Sequence, residues 1–300
     1  MKMPLNCHAQ VTCGRHSHVI AMPESTVNEL PIPTLPLSPV SMPRGSLHRP
    51  HQDIVVADRG PVSVSWARHQ DEIRQAQRLR YAVFAREMGA RLDTPLAGHD
   101  IDMFDDYCEH LLVRDCDSAM VIGTYRVLPP AQARRLGSTY SDTEFDLGSL
   151  DGLRPRMVEL GRSCVHPDHR HGGVILALWG ALAEFMMRNR LDTMIGCASI
   201  PMLHNGVVSG DVAASIWHQV KETSLADPAL RVKPRLPLPV DQLDTSLAVE
   251  PPALIKGYLR LGAKVLGAPA WDPDFNSADL PMLIRIGDLP ARYRKHFLGA

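Results

Sequence analysis

The spacing of apolar and polar residues predicts regular structure from Val62 onward. The stretch VSVSW alternates apolar and polar residues, as a half-buried strand does. The segment 69–89 predicts an amphipathic helix, because one stripe along it carries Ile73, Ala76, Leu79, Val83 and Phe84. Arg80 lies on or beside that stripe, so its side chain either extends toward solvent or points into a site.

Further strands and helices follow in alternation. Apolar runs predict strands over 110–115, 119–128, 156–165 and 194–200, and at least one more within 271–287. Helical spacing predicts helices over 174–190, 211–220 and 252–262. The segments between them are predicted to be loops or extended chain, including 93–106 with its five acidic residues and the proline-rich 226–252. This order predicts an α/β or α+β fold with one mixed central sheet flanked by helices.

Residues 1 to about 50 have a different composition. They are rich in proline, serine and histidine, and they show neither a helical nor a strand period. Such a segment cannot bury enough apolar surface to offset its loss of chain entropy, so we predict a disordered leader over 1–50. The remaining residues, 51–300, are then enough for one large domain.

Composition argues against several classes of function. A net charge of −1 and 5% aromatic residues do not favour a nucleic-acid-binding surface. The six cysteines form no CxxC pair and are irregularly spaced, which predicts reduced thiols in a cytoplasmic protein. No apolar run approaches the roughly 18–20 residues of a spanning helix, and a signal peptide pattern is absent. Any contact with the inner face of the cytoplasmic membrane would therefore be peripheral.

The segment 159–173, ELGRSCVHPDHRHGG, suggests a metal site at first sight, since it carries Cys164, His166, His169 and His171. A zinc site needs three or four ligands that converge on one point. His169 and His171 are only two apart, a proline constrains the backbone after His166, and the chain has no HExxH or CxxC motif. We therefore predict no metal site. Instead of a metal site, this segment is predicted to be a loop with solvent-exposed histidines beside a small buried cysteine.

The same segment also fits a phosphate-binding loop. A strand, a glycine-containing loop and an apolar helix follow one another, and this arrangement presents backbone N–H groups and a helix N-terminus to an anion. Gly172 and Gly173 allow close approach of the chain, and Arg170 adds positive charge at the same place.

These residues resemble the donor-binding segment of the GNAT superfamily of N-acyltransferases. In VHPDHRHGGVILAL, Arg170 and Gly173 match the first two marks of the superfamily's motif, while Ile175 stands where a small residue is expected. The departure at Ile175 implies a reshaped loop. Later, YLRLGAKV is similar to the superfamily's Tyr-three residues-Gly helix end, which implies that Tyr258 protonates the departing thiolate.

A narrower resemblance covers about residues 62–299. RLRYAVF, DIDMFDDYCEHLLV, GTYRVLP, MVELGRSCVHPD and the segment 251–280 look like the L-ornithine Nα-acyltransferases, relatives of the autoinducer synthases. The resemblance implies a GNAT-like domain over 51–300 that moves a 3-hydroxy fatty acyl group from acyl carrier protein to ornithine, giving lyso-ornithine lipid. It implies acyl carrier protein as co-substrate and partner, with no permanently bound cofactor. It also singles out seven positions shared by this branch: Arg80, Phe84, Asp102, Asp105, Arg126, Glu159 and Arg162.

Amide formation from a thioester assigns roles to these residues. The attacking amine must lose a proton, the tetrahedral oxyanion needs hydrogen-bond donors, and the thiolate benefits from a proton. Glu159 is the candidate base and Tyr258 the candidate acid, although either side chain could instead be structural. The backbone N–H groups at Cys164 and Val165 are the expected oxyanion donors.

The charged residues of the resemblance fit a diamino-acid acceptor. Arg80, Arg126 or Arg162 would hold the carboxylate in a bidentate fork, and Asp102 or Asp105 would hold the side-chain ammonium. A structural ion-pair network is the alternative for all five. Phe84 is expected at the same substrate site.

Two points of local structure also follow from the sequence. Glu159 and Arg162 are three apart, so a regular strand would direct them to opposite faces; we predict a β-bulge near Gly161 that brings both to one face. Cys164 and Cys197 lie in apolar strands, where a thiol is usually inert packing rather than a nucleophile.

The partner and the competing functions can be stated from the same residues. Basic segments 231–235 and 292–295 would receive an acidic carrier protein, unless they are solvated surface or contact anionic lipid. A related enzyme with another acceptor or a coenzyme A donor is the first alternative, with homoserine lactone synthesis less favoured. A binding protein that retains the fold without turnover is the second, and a metal-binding regulator the weakest.

Overall fold

The computed structural model describes residues 62–170 and 173–298. The predicted leader and the first residues of the predicted domain lie outside this range, as do His171 and Gly172. The helices are α1 Gln70–Tyr81, α2 Pro130–Leu136, α3 Tyr140–Glu144, α4 Gly173–Arg188, α5 Asp211–Ser224, α6 Ala253–Arg260 and α7 Ala291–Leu298. The strands are β1 Val62–Trp66, β2 Glu109–Asp115, β3 Val121–Leu128, β4 Phe145–Asp146, β5 Met157–Val165, β6 Thr193–Pro201, β7 Leu203–His204, β8 Val207–Val208, β9 Lys233–Pro234, β10 Lys264–Val265, β11 Ala270–Asp272 and β12 Ser277–Arg285.

One mixed sheet of eight strands organises the molecule. Its order is β1-β2-β3-β5-β6-β12-β10, with β11 also paired to β12. The neighbours in this sheet are antiparallel except β5 and β6, which run parallel. The predicted mixed sheet flanked by helices is thus confirmed.

The parallel pairing of β5 with β6 is short, and the two strands then separate. It joins Met157, Val158 and Glu159 to Thr193, Met194 and Ile195 and goes no further. At the point of separation, a Cβ placed on Gly196 would lie 2.3 Å from the Leu160 carbonyl oxygen. Only glycine fits there, because the β5 backbone occupies the space that a side chain would need.

Replacing Gly196 with alanine should therefore lower the free energy of unfolding by about 1–3 kcal/mol, the usual cost of overpacking. Chemical denaturation measures this change. Gly180→Ala in α4 is the matched control, since a Cβ there meets nothing within 4 Å. The control should be neutral or slightly stabilising, because alanine favours helix more than glycine does. Equal losses in the two variants would contradict the steric argument.

The sheet has two faces of different chemistry, because successive side chains of a strand point to opposite sides. On one, here called the apolar face, α4, α5 and α6 pack through clusters that include Leu178, Ile216 and Ile255. On the other, here called the polar face, α1 and α3 cover strand positions that include Glu159.

Several elements differ from the sequence-based prediction. The helix predicted over 69–89 ends its α-helical part at Tyr81 and continues as a wider π-helical turn over Ala82–Glu87. The helices α2 and α3 lie in a segment predicted to be a loop, and α7 and the β7–β8 hairpin were also not predicted. These elements are two to eight residues long, too short for a periodic hydrophobic signal. In the part of the chain described, no helix is long and apolar enough to cross a bilayer.

Candidate active site

A β-bulge shapes the centre of the site. Along the β3–β5 pair, Thr124 faces Cys164 and Arg126 faces Gly161, so Arg162 and Ser163 together stand opposite the single residue Tyr125. Arg162 has a φ of 50°, in the left-handed region. The bulge predicted near Gly161 is confirmed, and it brings Arg162 to the polar face beside Glu159.

Glu159 is buried and holds the start of α3. Its Oε2 accepts a hydrogen bond from the backbone N–H of Tyr140 at 2.8 Å, and its Oε1 accepts one from Ser141 at 2.6 Å. Burial raises the pKa of Glu159 above its ordinary value, and the hydrogen bonds from Ser141 and Tyr140 offset this rise only in part. The carboxylate thus binds backbone amides rather than an arginine, and its raised pKa suits a group that exchanges a proton.

Three arginines and three aspartates form a network of ion pairs and hydrogen bonds on the polar face. Arg80 donates from Nε to Asp100 Oδ2 and from Nη2 to Asp105 Oδ2, both at 2.8 Å. Arg126 Nη1 donates to Asp102 Oδ1 at 2.5 Å. Arg162 Nη2 donates to Asp102 Oδ2 at 3.1 Å, and its Nε lies 3.3 Å from Asp100 Oδ2 without a hydrogen bond.

The network keeps the carboxylates of Asp102 and Asp105 ionised. Burial alone would raise the pKa of Asp102, but the charges of Arg126 and Arg162 lower it to about 2. The pKa of Asp105 is lowered in the same way, since Arg80 and Arg126 outweigh the effect of burial. The three positive and three negative charges balance, so the network ties the loop 100–105 to the sheet without excess charge.

The side chains of this network differ in how much of their surface is exposed to solvent. The side chains of Arg80, Arg126 and Asp105 are 0%, 4% and 4% exposed, and they are enclosed by their ion pairs. These three therefore fit the structural alternative that the sequence left open, rather than direct contact with a substrate. Arg162 and Asp102, at 10% and 23%, keep some accessible surface.

Aromatic rings hold Arg162 in place at the polar face. Its guanidinium carbon lies 4.7 Å from the centre of the Tyr140 ring and 4.3 Å from that of Phe275. Phe84, in the π-helical turn, packs edge-on against Phe275 with ring centres 5.8 Å apart. The predicted Phe84 thus belongs to the wall around Arg162.

Acidic side chains that sequence reasoning missed lie beside Arg162. Asp279 on β12 is buried and accepts a hydrogen bond from Ser277 Oγ at 3.0 Å. Asp272 on β11 accepts one from the Tyr140 hydroxyl at 3.0 Å, and Glu144 ends α3. Within the described ranges, none of these three carboxylates forms an ion pair with Lys, Arg or His. A buried aspartate inside the apolar run of β12 was the available signal for Asp279.

The grouping of these negative charges, together with burial, raises the pKa values of two of the three carboxyl groups. Burial and the neighbouring Asp272 raise the pKa of Asp279 to about 6. Burial, with Asp272 and Asp279 nearby, raises the pKa of Glu144 to about 7. A bound cation would relieve both effects, so this corner of the polar face favours a positively charged group.

An apolar cavity lies on the opposite face of the sheet, between β5, β6 and the helices α4, α6 and α7. Its wall includes Leu160, Trp179 and Met194. The hydroxyls of Tyr125 and Tyr258, which also line it, hydrogen-bond to each other. Burial raises the pKa of Tyr258 well above its ordinary value, so this hydroxyl remains protonated at neutral pH.

The predicted donor loop is only partly available to an anion. Arg170 forms a bidentate ion pair with Glu87, at 2.5 and 2.7 Å, and donates from Nε to the Val165 carbonyl at 3.1 Å. Gly173 begins α4, and Ile175 packs against the apolar cluster beneath it. Any phosphate that binds Arg170 must therefore compete with Glu87.

Of the two backbone N–H groups predicted as oxyanion donors on β5, one faces the gap between β5 and β6. The N–H of His166 donates to the Ile122 carbonyl on β3 at 2.8 Å. Since bonded and non-bonded pairs alternate along antiparallel strands, the N–H of Cys164 also faces β3, while that of Val165 faces the gap between β5 and β6. Val165 is thus the oxyanion donor that this geometry supports.

The cysteines and histidines of this region have plain structural settings. Burial raises the pKa of the Cys164 thiol to about 12 and that of Cys197 well above its ordinary value, which disfavours a thiolate nucleophile. His166 Nδ1 accepts a hydrogen bond from the Asp168 N–H at 3.3 Å. Among the residues with described coordinates, no three His, Cys, Asp or Glu side chains are arranged to hold a metal ion.

Comparison with known proteins assigns the chain to a family. A family model described as an acetyltransferase (GNAT) domain matches residues 79–180. A coenzyme A-dependent acyl-homoserine lactone synthase of known structure aligns with a TM-score of 0.46 and 17% identity, over 77% of this chain and 82% of that one.

Two relatives are L-ornithine Nα-acyltransferases. The protein from Rhodobacter capsulatus is 36% identical over 77% of this chain and 92% of its own length. The protein from Agrobacterium fabrum is 35% identical over 80% of this chain and 86% of its own. With a GNAT domain and this level of identity along most of its length, the chain belongs to the L-ornithine Nα-acyltransferase family of acyltransferases.

Proposed function

We propose that this protein transfers a 3-hydroxy fatty acyl group from acyl carrier protein to the α-amine of L-ornithine. One observation carries the choice of acceptor: the carboxylates of Asp272, Asp279 and Glu144 form no ion pair in the described structure, although Arg162 is near enough for its charge to act on Asp279 and Glu144. An acceptor with a second amine supplies the missing positive charge.

The three charged groups of ornithine match three parts of the polar face. The side-chain ammonium binds Asp279 and its acidic neighbours, and the carboxylate binds the accessible edge of Arg162. The α-amine then lies near Glu159, at the level where β5 and β6 separate. This assignment moves the ammonium site from the predicted Asp102 and Asp105, since the network arginines already neutralise both.

The reaction uses both faces of the sheet. The thioester carbonyl lies in the gap between β5 and β6, with its chain in the apolar cavity and its oxygen toward the N–H of Val165. As the carbon–nitrogen bond forms, Glu159 receives the amine proton. As the carbon–sulfur bond breaks, the Tyr258 hydroxyl acts on the departing thiolate as hydrogen-bond donor and acid.

The donor is proposed to arrive on acyl carrier protein, with its phosphopantetheine as the only prosthetic group involved. Two exposed basic segments support docking of an acidic carrier: 231–235, and the α7 residues Arg292, Arg294 and Lys295. Of these, α7 has the stronger case, because Phe297 on the same helix lines the apolar cavity. The same cations would also attract anionic lipid head groups, so we include peripheral membrane contact in the proposal.

An assay of acyl transfer from 3-hydroxyacyl carrier protein to a panel of amino acids tests this function. Ornithine is expected to be the best acceptor. Norvaline, which has the same carbon skeleton without the side-chain amine, should lose about 10–100-fold in kcat/KM, the value of one charge-assisted hydrogen bond. Equal use of both acceptors would contradict the ammonium site.

The same assay addresses the alternatives. Faster reaction with acyl coenzyme A than with acyl carrier protein would favour a different donor. Absence of product with every amine, together with retained binding of the acyl thioester, would favour a binding protein without turnover.

A further inference from the structure

The proposed acceptor site is nearly closed to solvent in this structure. Glu159, Asp272 and Asp279 are buried, each with at most 6% of its surface exposed. The side chain of Arg162 is only 10% exposed. An amino acid with a charged group at each end cannot reach these side chains through so little open surface. Part of the wall must therefore move before ornithine can bind.

Two aromatic rings form the wall beside Arg162. The ring centre of Phe275, in the turn between β11 and β12, lies 4.3 Å from the guanidinium carbon of Arg162. Phe84 packs edge-on against Phe275 from the π-helical turn that follows α1. Phe275 is only half-buried, so its ring lies between Arg162 and solvent while Phe84 supports it from the side. Movement of this pair of rings would open the site.

The segment 82–91, here called the strap, joins this wall to the donor loop. The strap supplies one of the two rings, and its Arg91 N–H donates at 2.6 Å to the Asp274 carbonyl, in the turn that supplies the other ring. Glu87, at the end of the π-helical turn, forms the bidentate ion pair with Arg170 of the donor loop. The strap therefore contacts the acceptor wall and the donor loop at once.

The ion pair is the contact of the strap that a donor would break. All three nitrogens of the Arg170 guanidinium are engaged, two by Glu87 and Nε by the Val165 carbonyl, so a phosphate must displace the carboxylate. Both side chains of the pair are exposed, and such an ion pair adds little stability because water already solvates the two charges. The phosphate would also meet the N-terminus of α4, which attracts anions. The π-helical turn buries one side chain, Val83, so few apolar contacts hold this turn once the ion pair is broken.

We propose that Glu87 and Arg170 form a latch that keeps the acceptor site closed until the phosphate of the donor binds Arg170. The released strap then lets Phe84 and Phe275 move, and ornithine reaches Arg162. The inference rests on the proposed function and adds to it a control of when the acceptor enters.

Calorimetric titration of ornithine into the full chain tests the latch with two probes that differ by one phosphate. 4′-Phosphopantetheine should tighten the binding of ornithine by about ten-fold, a usual size for coupling between two sites. Pantetheine, which lacks the phosphate, should leave the dissociation constant of ornithine unchanged. Because such coupling is reciprocal, ornithine should tighten the binding of phosphopantetheine by the same factor.

Glu87→Gln should open the latch without any donor, since glutamine has a similar size but cannot form the ion pair. This variant should bind ornithine alone as tightly as the wild-type protein does with phosphopantetheine, so that the probe has no further effect. Glu184→Gln is the matched control, because the Glu184 side chain has the same 39% exposure as Glu87 and pairs with Arg188 on the surface of α4. The control should keep the wild-type response to phosphopantetheine.

Three other results would overturn the latch and leave the proposed function intact. They are equal ornithine binding by the wild-type protein with and without phosphopantetheine, an equal effect of pantetheine, and an undiminished effect in Glu87→Gln. Absence of ornithine binding under every condition would instead count against the proposed function, and the latch would fail with it.

Discussion

Glu159→Gln is expected to lower kcat for acyl transfer to ornithine by about 10²–10⁴-fold, the range seen when a general base is lost. Glutamine has the same shape, and its amide oxygen still accepts a hydrogen bond from the start of α3. It cannot take the proton of the attacking amine. Steady-state kinetics with a carrier-bound hydroxyacyl donor measures the effect.

Thr139→Ala separates catalysis from helix capping. Thr139 is the N-cap of α3, and its Oγ1 accepts a hydrogen bond from the Asp142 N–H at 3.2 Å. Its loss should cost about 1 kcal/mol of stability with little change in kcat. If both variants lost kcat to the same extent, Glu159 would hold α3 and would not serve as the base.

The assignment of Glu159 as the base also predicts how the reaction rate depends on pH. Burial raises the pKa of this carboxyl group, and only its ionised form accepts a proton. The wild-type rate should therefore fall as the pH is lowered through this raised pKa, and the residual activity of Glu159→Gln should lack that acidic limb.

Asp279→Asn is expected to weaken the use of ornithine and to stabilise the protein. The asparagine oxygen can still accept the hydrogen bond from Ser277, but the side chain no longer attracts an ammonium group. The preference for ornithine over norvaline should fall by about ten-fold or more, measured as a ratio of kcat/KM values. Ser277→Ala, which removes only the hydroxyl donor, is the matched control and should keep the preference.

The expected gain in stability follows from the raised pKa of Asp279, which burial and Asp272 bring from 3.8 to about 6. An acid with a raised pKa in the folded state destabilises the fold as the pH rises from 3.8 to 6, and this cost is fully present above that window. Asp279→Asn removes the cost, so it should gain about 1–3 kcal/mol at pH 8 and little at pH 3.5. A loss of stability at pH 8 would mean that Asp279 is a structural residue.

The longer strands of the sheet could be predicted because each carries an apolar or alternating run, whereas β10 and β11, with two and three residues, are too short for one. The bulge could be predicted from the three-residue spacing of Glu159 and Arg162. The roles of the arginines could not. Arg80 and Arg126 carry the same charge as Arg162, and only the fold shows that the first two are enclosed by aspartates from the loop 100–105.

The proposed ammonium site could not be predicted from the sequence for a related reason. Asp272 and Asp279 are more than 110 residues from Glu159 in the chain and share a face of the sheet with it only through strand pairing. Sequence separation hides such an arrangement, and no local motif surrounds either aspartate.

The separation of β5 from β6 bears on how a reaction cycle ends. In the proposed function, the acceptor binds on one side of the sheet and the acyl chain on the other, so each substrate occupies half of the site. The amide product would span the gap and occupy both halves at once, with the combined contacts of the two substrates. Product departure would then be the slowest event of the cycle, and turnover would depend on an acceptor for the finished amphiphile, such as a lipid surface, more than on the supply of ornithine.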